Sequence, residues 1–203
     1  MAEQRYFKVV VTGDTKVLTS NSVGQRVALN AHVDEGLQYR LARITFEHNR
    51  AIKEEHLRHW FPIQDGEIFA HDKVAEGLET IRKMYGEWGY LNFVSVPETK
   101  FNDDNRTVQL NINVDEGKQF HVSDIKVVGM EETERDDFLM RFPFQTGDVF
   151  DTRRWDGSLQ MIAETAPTCE CTKRGTILPD EKAGTVSLTL DFSPCSGGEL
   201  GKN

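Results

Sequence analysis

The chain has 203 residues, 38% of them hydrophobic and 9% aromatic, which suits one large or two small folded domains. Lys and Arg number 24 against 33 Asp and Glu, a net charge of −9, so the surface repels phosphate backbones and anionic lipid and offers nothing to nucleic acid. No apolar stretch approaches the ~20 residues of a bilayer-spanning helix, so no direct membrane span is expected in this segment. Met1-Ala2-Glu3-Gln4-Arg5 are not followed by a leader-type apolar run. Two readings stay open at that end: a cytosolic chain, or a mature segment whose leader has been removed.

In chain order, Tyr6–Val11 and Arg26–Gly36 read as a hairpin with a long connection. Leu41–Phe46 reads as a strand, and Lys53–Phe61, with Leu57 and Phe61 four apart, as a short helix stopped by Pro62. Gly66 marks a turn, and Asp72 is expected to cap the next helix. Val74, Leu78, Ile81, Tyr85 and Trp88 form an apolar stripe at helical spacing, read as core, and Gly89 is its left-handed cap. Leu91–Val96 reads as a strand ended by Pro97, Asn102-Asp103-Asp104-Asn105 as a turn, and Val108–Val114 as a half-buried strand. Val122–Val128 and Cys171–Ile177 are expected as strands, as is Val186–Phe192; Thr133–Phe142 and Thr152–Ala166 are expected as helices. Thr133-x-x-Asp136 resembles a capping box.

One offset organises all of this. Val33-Asp34-Glu35-Gly36 recurs as Val114-Asp115-Glu116-Gly117, 81 residues on. Phe61-Pro62-Ile63-Gln64-Asp65-Gly66-Glu67-Ile68-Phe69 recurs at the same offset as Phe142-Pro143-Phe144-Gln145-Thr146-Gly147-Asp148-Val149-Phe150. Val74, Leu78 and Ile81 return as Trp155, Leu159 and Ile162. An offset of 81 is too long for a solenoid repeat and indicates tandem β-α-α-β-β units. Residues 1–36 then read as the C-terminal β-hairpin of a preceding unit, 37–117 as a complete unit, and 118–203 as a second unit with a C-terminal tail.

These residues resemble the POTRA domains of outer-membrane protein assembly factors and two-partner secretion transporters. The likeness rests on Glu35-Gly36 and Glu116-Gly117 followed by the aromatics Tyr39 and Phe120. It rests also on the Gly-x-x-Phe pairs Gly66/Phe69 and Gly147/Phe150, on Tyr85 with Gly89-Tyr90, and on Gly129 after the first strand of the last unit. The resemblance implies an α+β fold of three-stranded mixed sheets, each covered on one face by two helices. It implies no enzyme and no cofactor. The implied place is the periplasm of a Gram-negative envelope, tethered to the outer membrane through the protein's own β-barrel. The implied partners are unfolded outer-membrane proteins or accessory envelope proteins. In the family's strand order the second strand is an edge, and an open edge accepts any extended chain. The polypeptide-binding positions are therefore expected at Leu91, Asn92, Phe93, Val94, Ser95 and Val96, and at Thr172 and Arg174 in the last unit. Glu35, Gly36, Glu116 and Gly117 are expected as inter-domain turns. The alternative is a stand-alone cell-envelope scaffold or interaction module with the same fold.

Two residue groups invite other chemistry. His48, His56, His59 and His71 lie close in sequence, but a solvated face explains them better than a metal site, and no metal is expected. The three cysteines, Cys169, Cys171 and Cys195, flank the last hairpin. Pairing Thr176 with Val186 puts Cys169 opposite Ser193, which predicts one disulfide, Cys169–Cys195 or Cys171–Cys195, fitting an oxidising compartment.

Overall fold

The computed structural model describes residues 6–7, 10–21, 24–34, 36–165 and 175–193. Its elements run β1 (Tyr6–Phe7), β2 (Val10–Asn21), β3 (Gly24–Asp34), β4 (Leu37–Gln38), β5 (Arg40–Glu47), α1 (Glu54–His59), α2 (His71–Glu87), β6 (Val94–Asn102), β7 (Thr107–Asp115), β8 (His121–Val128), α3 (Glu132–Arg141), α4 (Thr152–Thr165), β9 (Gly175–Asp180) and β10 (Thr185–Asp191). Two three-stranded mixed sheets have the orders β5-β7-β6 and β8-β10-β9, with β5 parallel to β7 and β8 parallel to β10. Two further pairs are antiparallel, β1 with β4 and the long hairpin β2–β3. Contacts group the chain into two bodies, 1–79 with 95–114, and 80–94 with 115–203.

The 81-residue offset survives down to single hydrogen bonds. The loop after the first helix of each unit folds back onto the first strand. Gly66 N–H donates to Leu41 O at 2.7 Å and Phe69 N–H to Tyr39 O at 2.9 Å. Gly147 N–H donates to Val122 O at 2.7 Å and Phe150 N–H to Phe120 O at 2.9 Å. Both loop glycines are left-handed, with φ of 87° and 94°, a conformation that costs any other residue about 1–2 kcal/mol. The third strand supplies the centre of each core: Val108, Leu110, Ile112 and Val114 are buried in β7, and Val186, Leu188 and Leu190 in β10. In the second body these last three join a cluster with Phe120, Phe142, Phe144, Phe150, Trp155 and Ile162.

Helix α2 carries glycine in its interior, and its reason is steric. A Cβ on Gly77 would stand 2.4–2.7 Å from three ring atoms of buried Phe61. The position 81 residues on is Ser158, also small, whose Oγ donates to Arg154 O at 2.7 Å. Alanine is the better helix former by roughly 0.5–1 kcal/mol, but overpacking a fixed ring costs about 1–3 kcal/mol. Gly77→Ala is therefore expected to lower stability by about 1 kcal/mol net, read as a lower urea midpoint with an unchanged slope. An increase would show that Phe61 has room to move.

Four local expectations are corrected. Asp72 is not the cap of α2: the helix starts at His71, and Asp72 lies in its first turn, where a carboxylate still complements the helix dipole. Thr133 does not open a capping box, because α3 starts one residue earlier, with Glu131 in the cap position and no side-chain cap bond. Trp88 leaves the apolar stripe and is 42% exposed, since α2 ends at Glu87 and the chain turns at Gly89, where φ is 86°. The β9–β10 register is offset by three residues from the expected one: Val186 pairs with Pro179, and Thr176 with Thr189. The turn fixes this, because Asp180 Oδ1 accepts from Lys182 and Ala183 N–H, and Gly184 N–H donates to Asp180 O.

Candidate polypeptide-binding edges

The expected binding strand Leu91–Val96 divides in two. Leu91 and Asn92 form a turn, and Phe93 is buried with its ring stacked on Tyr85 at 4.1 Å and 15°. Leu91 packs against the aromatic cluster of the second body. These three residues therefore offer no strand edge. Only Val94, Ser95 and Val96 belong to β6, which continues through Pro97 to Asn102. Pro97 was expected to end the strand, yet an edge strand is where a sheet tolerates a residue without an N–H. The edge thus includes Glu98, Thr99, Lys100 and Phe101, which sequence reading missed; the further alternation through Thr99 and Phe101 was the available signal.

Strand β6 lies at the end of its sheet, with β7 on one side and, among the described residues, no strand on the other. Phe101 sits against buried Tyr39, ring centroids 5.0 Å apart, so strand alternation sends Val94 and Val96 to the opposite face. Both are about half exposed, at 53% and 52%. At Val94–Val96 the edge therefore combines a flank with no neighbouring strand among the described residues and an exposed apolar pair, the two things an extended apolar chain needs.

A half-buried polar contact holds the turn at Glu116. Tyr85 OH donates to Glu116 Oε1 at 2.8 Å, and Tyr90 stands edge-on to Tyr85 at 5.6 Å. Burial first, and then the Glu116 carboxylate, push the Tyr85 hydroxyl well above the ordinary tyrosine range, and Tyr90 shifts upward for the same reasons. Tyr85 is therefore a neutral donor at any physiological pH. Gly117 has φ 66°, and its N–H is accepted by Asp115 Oδ1 at 3.1 Å; Gly36, φ 73°, repeats the arrangement on Asp34 Oδ1 at 3.0 Å. In the second body a cleft of about 510 Å³ opens beside this turn, with Tyr90, Leu91 and Phe93 facing Arg153, Trp155 and Ile177.

The last unit's edge strand is β9, with Ile177 partly buried and Leu178 exposed. It is short and carries Pro179, features that blunt an edge. Thr172 and Arg174 lie outside the described residues, as do Glu35 and the disulfide candidates Cys169, Cys171 and Cys195. His48, His56, His59 and His71 are all exposed, and His48 Nδ1 lies 3.0 Å from Asn113 Oδ1. His48 takes the left-handed conformation, φ 66°, that Gly129 takes 81 residues later. Among the described residues no helix is long and apolar enough to cross a membrane.

Residues 39–117 match the family model described as POTRA, surface antigen variable number repeat. This segment is a POTRA domain. The chain as a whole is 24% identical over 98% of its length to a putative outer membrane protein assembly factor of Treponema pallidum (strain Nichols). It is 22% identical over 79% of its length to the outer membrane protein assembly factor BamA of Buchnera aphidicola subsp. Acyrthosiphon pisum (strain APS). It spans only a quarter of the length of either relative. The crystal structure of Haemophilus influenzae BamA POTRA3-5 superposes with a TM-score of 0.62 at 19% identity, covering 95% of this chain and 75% of that one. The POTRA fold, with its tandem three-stranded mixed sheets, is therefore that of this chain.

Proposed function

We propose that this chain is the periplasmic POTRA region of an outer-membrane protein assembly or secretion factor. Its POTRA units, taken as 37–117 and 118–203, bind unfolded barrel precursors or accessory envelope proteins without catalysis. The open edge of β6 is the docking strand, and incoming chains add to it by backbone pairing. The observation that carries this reading is the terminal place of β6 in its sheet, with no further strand beside it among the described residues, together with half-exposed Val94 and Val96. Backbone recognition is tolerant of sequence, as a factor that handles many precursors requires. The names of the relatives favour assembly of outer-membrane proteins as the setting. A barrel domain of the same polypeptide would provide the tether to the outer membrane.

A proline at Ser95, two residues from Pro97 and so on the same flank of the strand, removes a backbone donor from this edge. A net hydrogen bond is worth roughly 1 kcal/mol, so Ser95→Pro is expected to weaken binding of a labelled barrel-strand peptide by about fivefold or more. Helical circular dichroism stays unchanged. Equal anisotropy titrations for both proteins would sink the assignment of β6 as the docking strand.

A further inference from the structure

Helices α1 and α3 are counterparts at the 81-residue offset, yet they differ on the sides turned away from their own cores. Near its C-terminal end α1 reads Leu57-Arg58-His59, with Leu57 fully buried and His59 exposed. At the same places α3 reads Phe138-Leu139-Met140. Successive helical residues turn by about 100°, so three apolar side chains in a row cannot all face one core. Phe138 meets its own unit, its ring 5.5 Å from Phe142 and 5.2 Å from Phe192. Leu139 is half-buried, and Met140 is 77% exposed, the most exposed large apolar side chain among the described residues.

The cover around α3 is also thinner than around α1. Ile52, just before α1, is 2% exposed, and its counterpart is exposed Thr133. Ile44 and Phe46 are buried in β5, whereas Ile125 and Val127 at the same places in β8 are only half-buried. No residue of α3 is fully buried. The charge changes as well. Between Arg50 and Trp60 three bases, Arg50, Lys53 and Arg58, outnumber two acids. Between Glu131 and Arg141 five acids outnumber two bases. Both of those bases are engaged within the helix: Arg135 reaches Glu132 at 3.6 Å and Asp136 at 3.7 Å, and Arg141 Nε donates to Asp137 O at 3.1 Å. Asp136 and Asp137, four and three residues before Met140, stand beside it on the helix surface, and both are exposed.

We propose that α3 docks a partner protein that presents an apolar side chain ringed by Lys and Arg. Met140 and Leu139 form the apolar anchor, and Asp136 and Asp137 form the charged rim. Methionine is enriched in protein interfaces, and its flexible thioether adapts to a partner's shape. The acidic rim selects a basic surface and repels α3 of a second copy. An extended client needs a strand edge, which a helix does not offer. The site therefore lies apart from the β6 edge in both position and chemistry.

The test titrates the 203-residue chain into two labelled helical peptides, one with a leucine stripe flanked by lysines, the other with glutamates in place of those lysines. The lysine peptide is expected to bind and the glutamate peptide not to. M140H installs the residue that α1 carries at this place. It is expected to weaken the lysine peptide at least about tenfold with the protein's circular dichroism unchanged, because Met140 is exposed and supports no core. On binding, the amides of Phe138–Arg141 are expected to gain exchange protection, and those of Leu57–Trp60 not to. S95P, which acts on β6, is expected to leave the lysine peptide's affinity unchanged. Equal affinity of M140H and the unsubstituted chain overturns the proposal, since net charge alone would then hold the peptide. Self-association of the peptide-free chain that M140H abolishes, read by sedimentation, also overturns it and assigns the face to a second copy.

Discussion

Phe150→Ala is expected to cost about 3–5 kcal/mol, the range for removing a buried aromatic ring. Phe150 is fully buried, stacks on Phe144 at 5.6 Å and 15°, and lies 6.3 Å from the Trp155 ring. Its backbone N–H also closes the loop onto Phe120. Strand β8, the loop after α3 and helix α4 therefore meet at this ring, and no single neighbour can move in to fill the void. A domain's whole stability is about 5–15 kcal/mol, so this loss threatens the last unit as a folded body. Urea unfolding followed by tryptophan fluorescence reads it out. A loss below about 1 kcal/mol would mean that the aromatic cluster repacks, contrary to the rigid stacking described above.

Gly89→Ala is the second large effect. Gly89 ends α2 with φ 86°, and a Cβ there would lie 2.8 Å from Val149 Cγ1 and 3.1 Å from both Phe120 O and Phe150 O. The left-handed conformation alone costs alanine about 1–2 kcal/mol, and crowding two carbonyl oxygens adds a similar amount, about 2–4 kcal/mol in all. Gly89 O also accepts from Phe120 N–H at 2.8 Å, so a shift of the turn loses that bond as well. Gly66→Ala is the internal control: its φ is 87°, but nothing lies within 4 Å of the built Cβ. The difference between the two urea midpoints isolates the crowding. Equal losses would show that backbone strain alone explains Gly89.

Periodicity and repetition are local signals, and they carried most of the fold. The stripe Val74, Ile81 and Tyr85 is buried as its spacing predicts, and the turn glycines Gly66 and Gly147 are left-handed as Gly-x-x-Phe requires. The errors arose where a side chain has two local roles and distant atoms choose between them. Pro97 can end a strand or sit on an edge, and the partner strand β7 keeps it in β6. Phe93 alternates like a strand residue, but Tyr85 captures its ring and delays the strand to Val94. The Thr176–Val186 pairing ignored Asp180, whose carboxylate folds the turn three residues further along.

The sequence by itself determined the 81-residue repeat, the β-α-α-β-β order, the apolar positions of each core and the turns that demand glycine. Those follow from residue type and spacing within one segment. The tertiary structure alone decided where the edge strand β6 begins, how β9 registers on β10, and that Val27, Leu29 and Val33 lie exposed while their counterparts are buried. Exposure and pairing depend on what a distant segment brings to the same place, and no local pattern of residues encodes that.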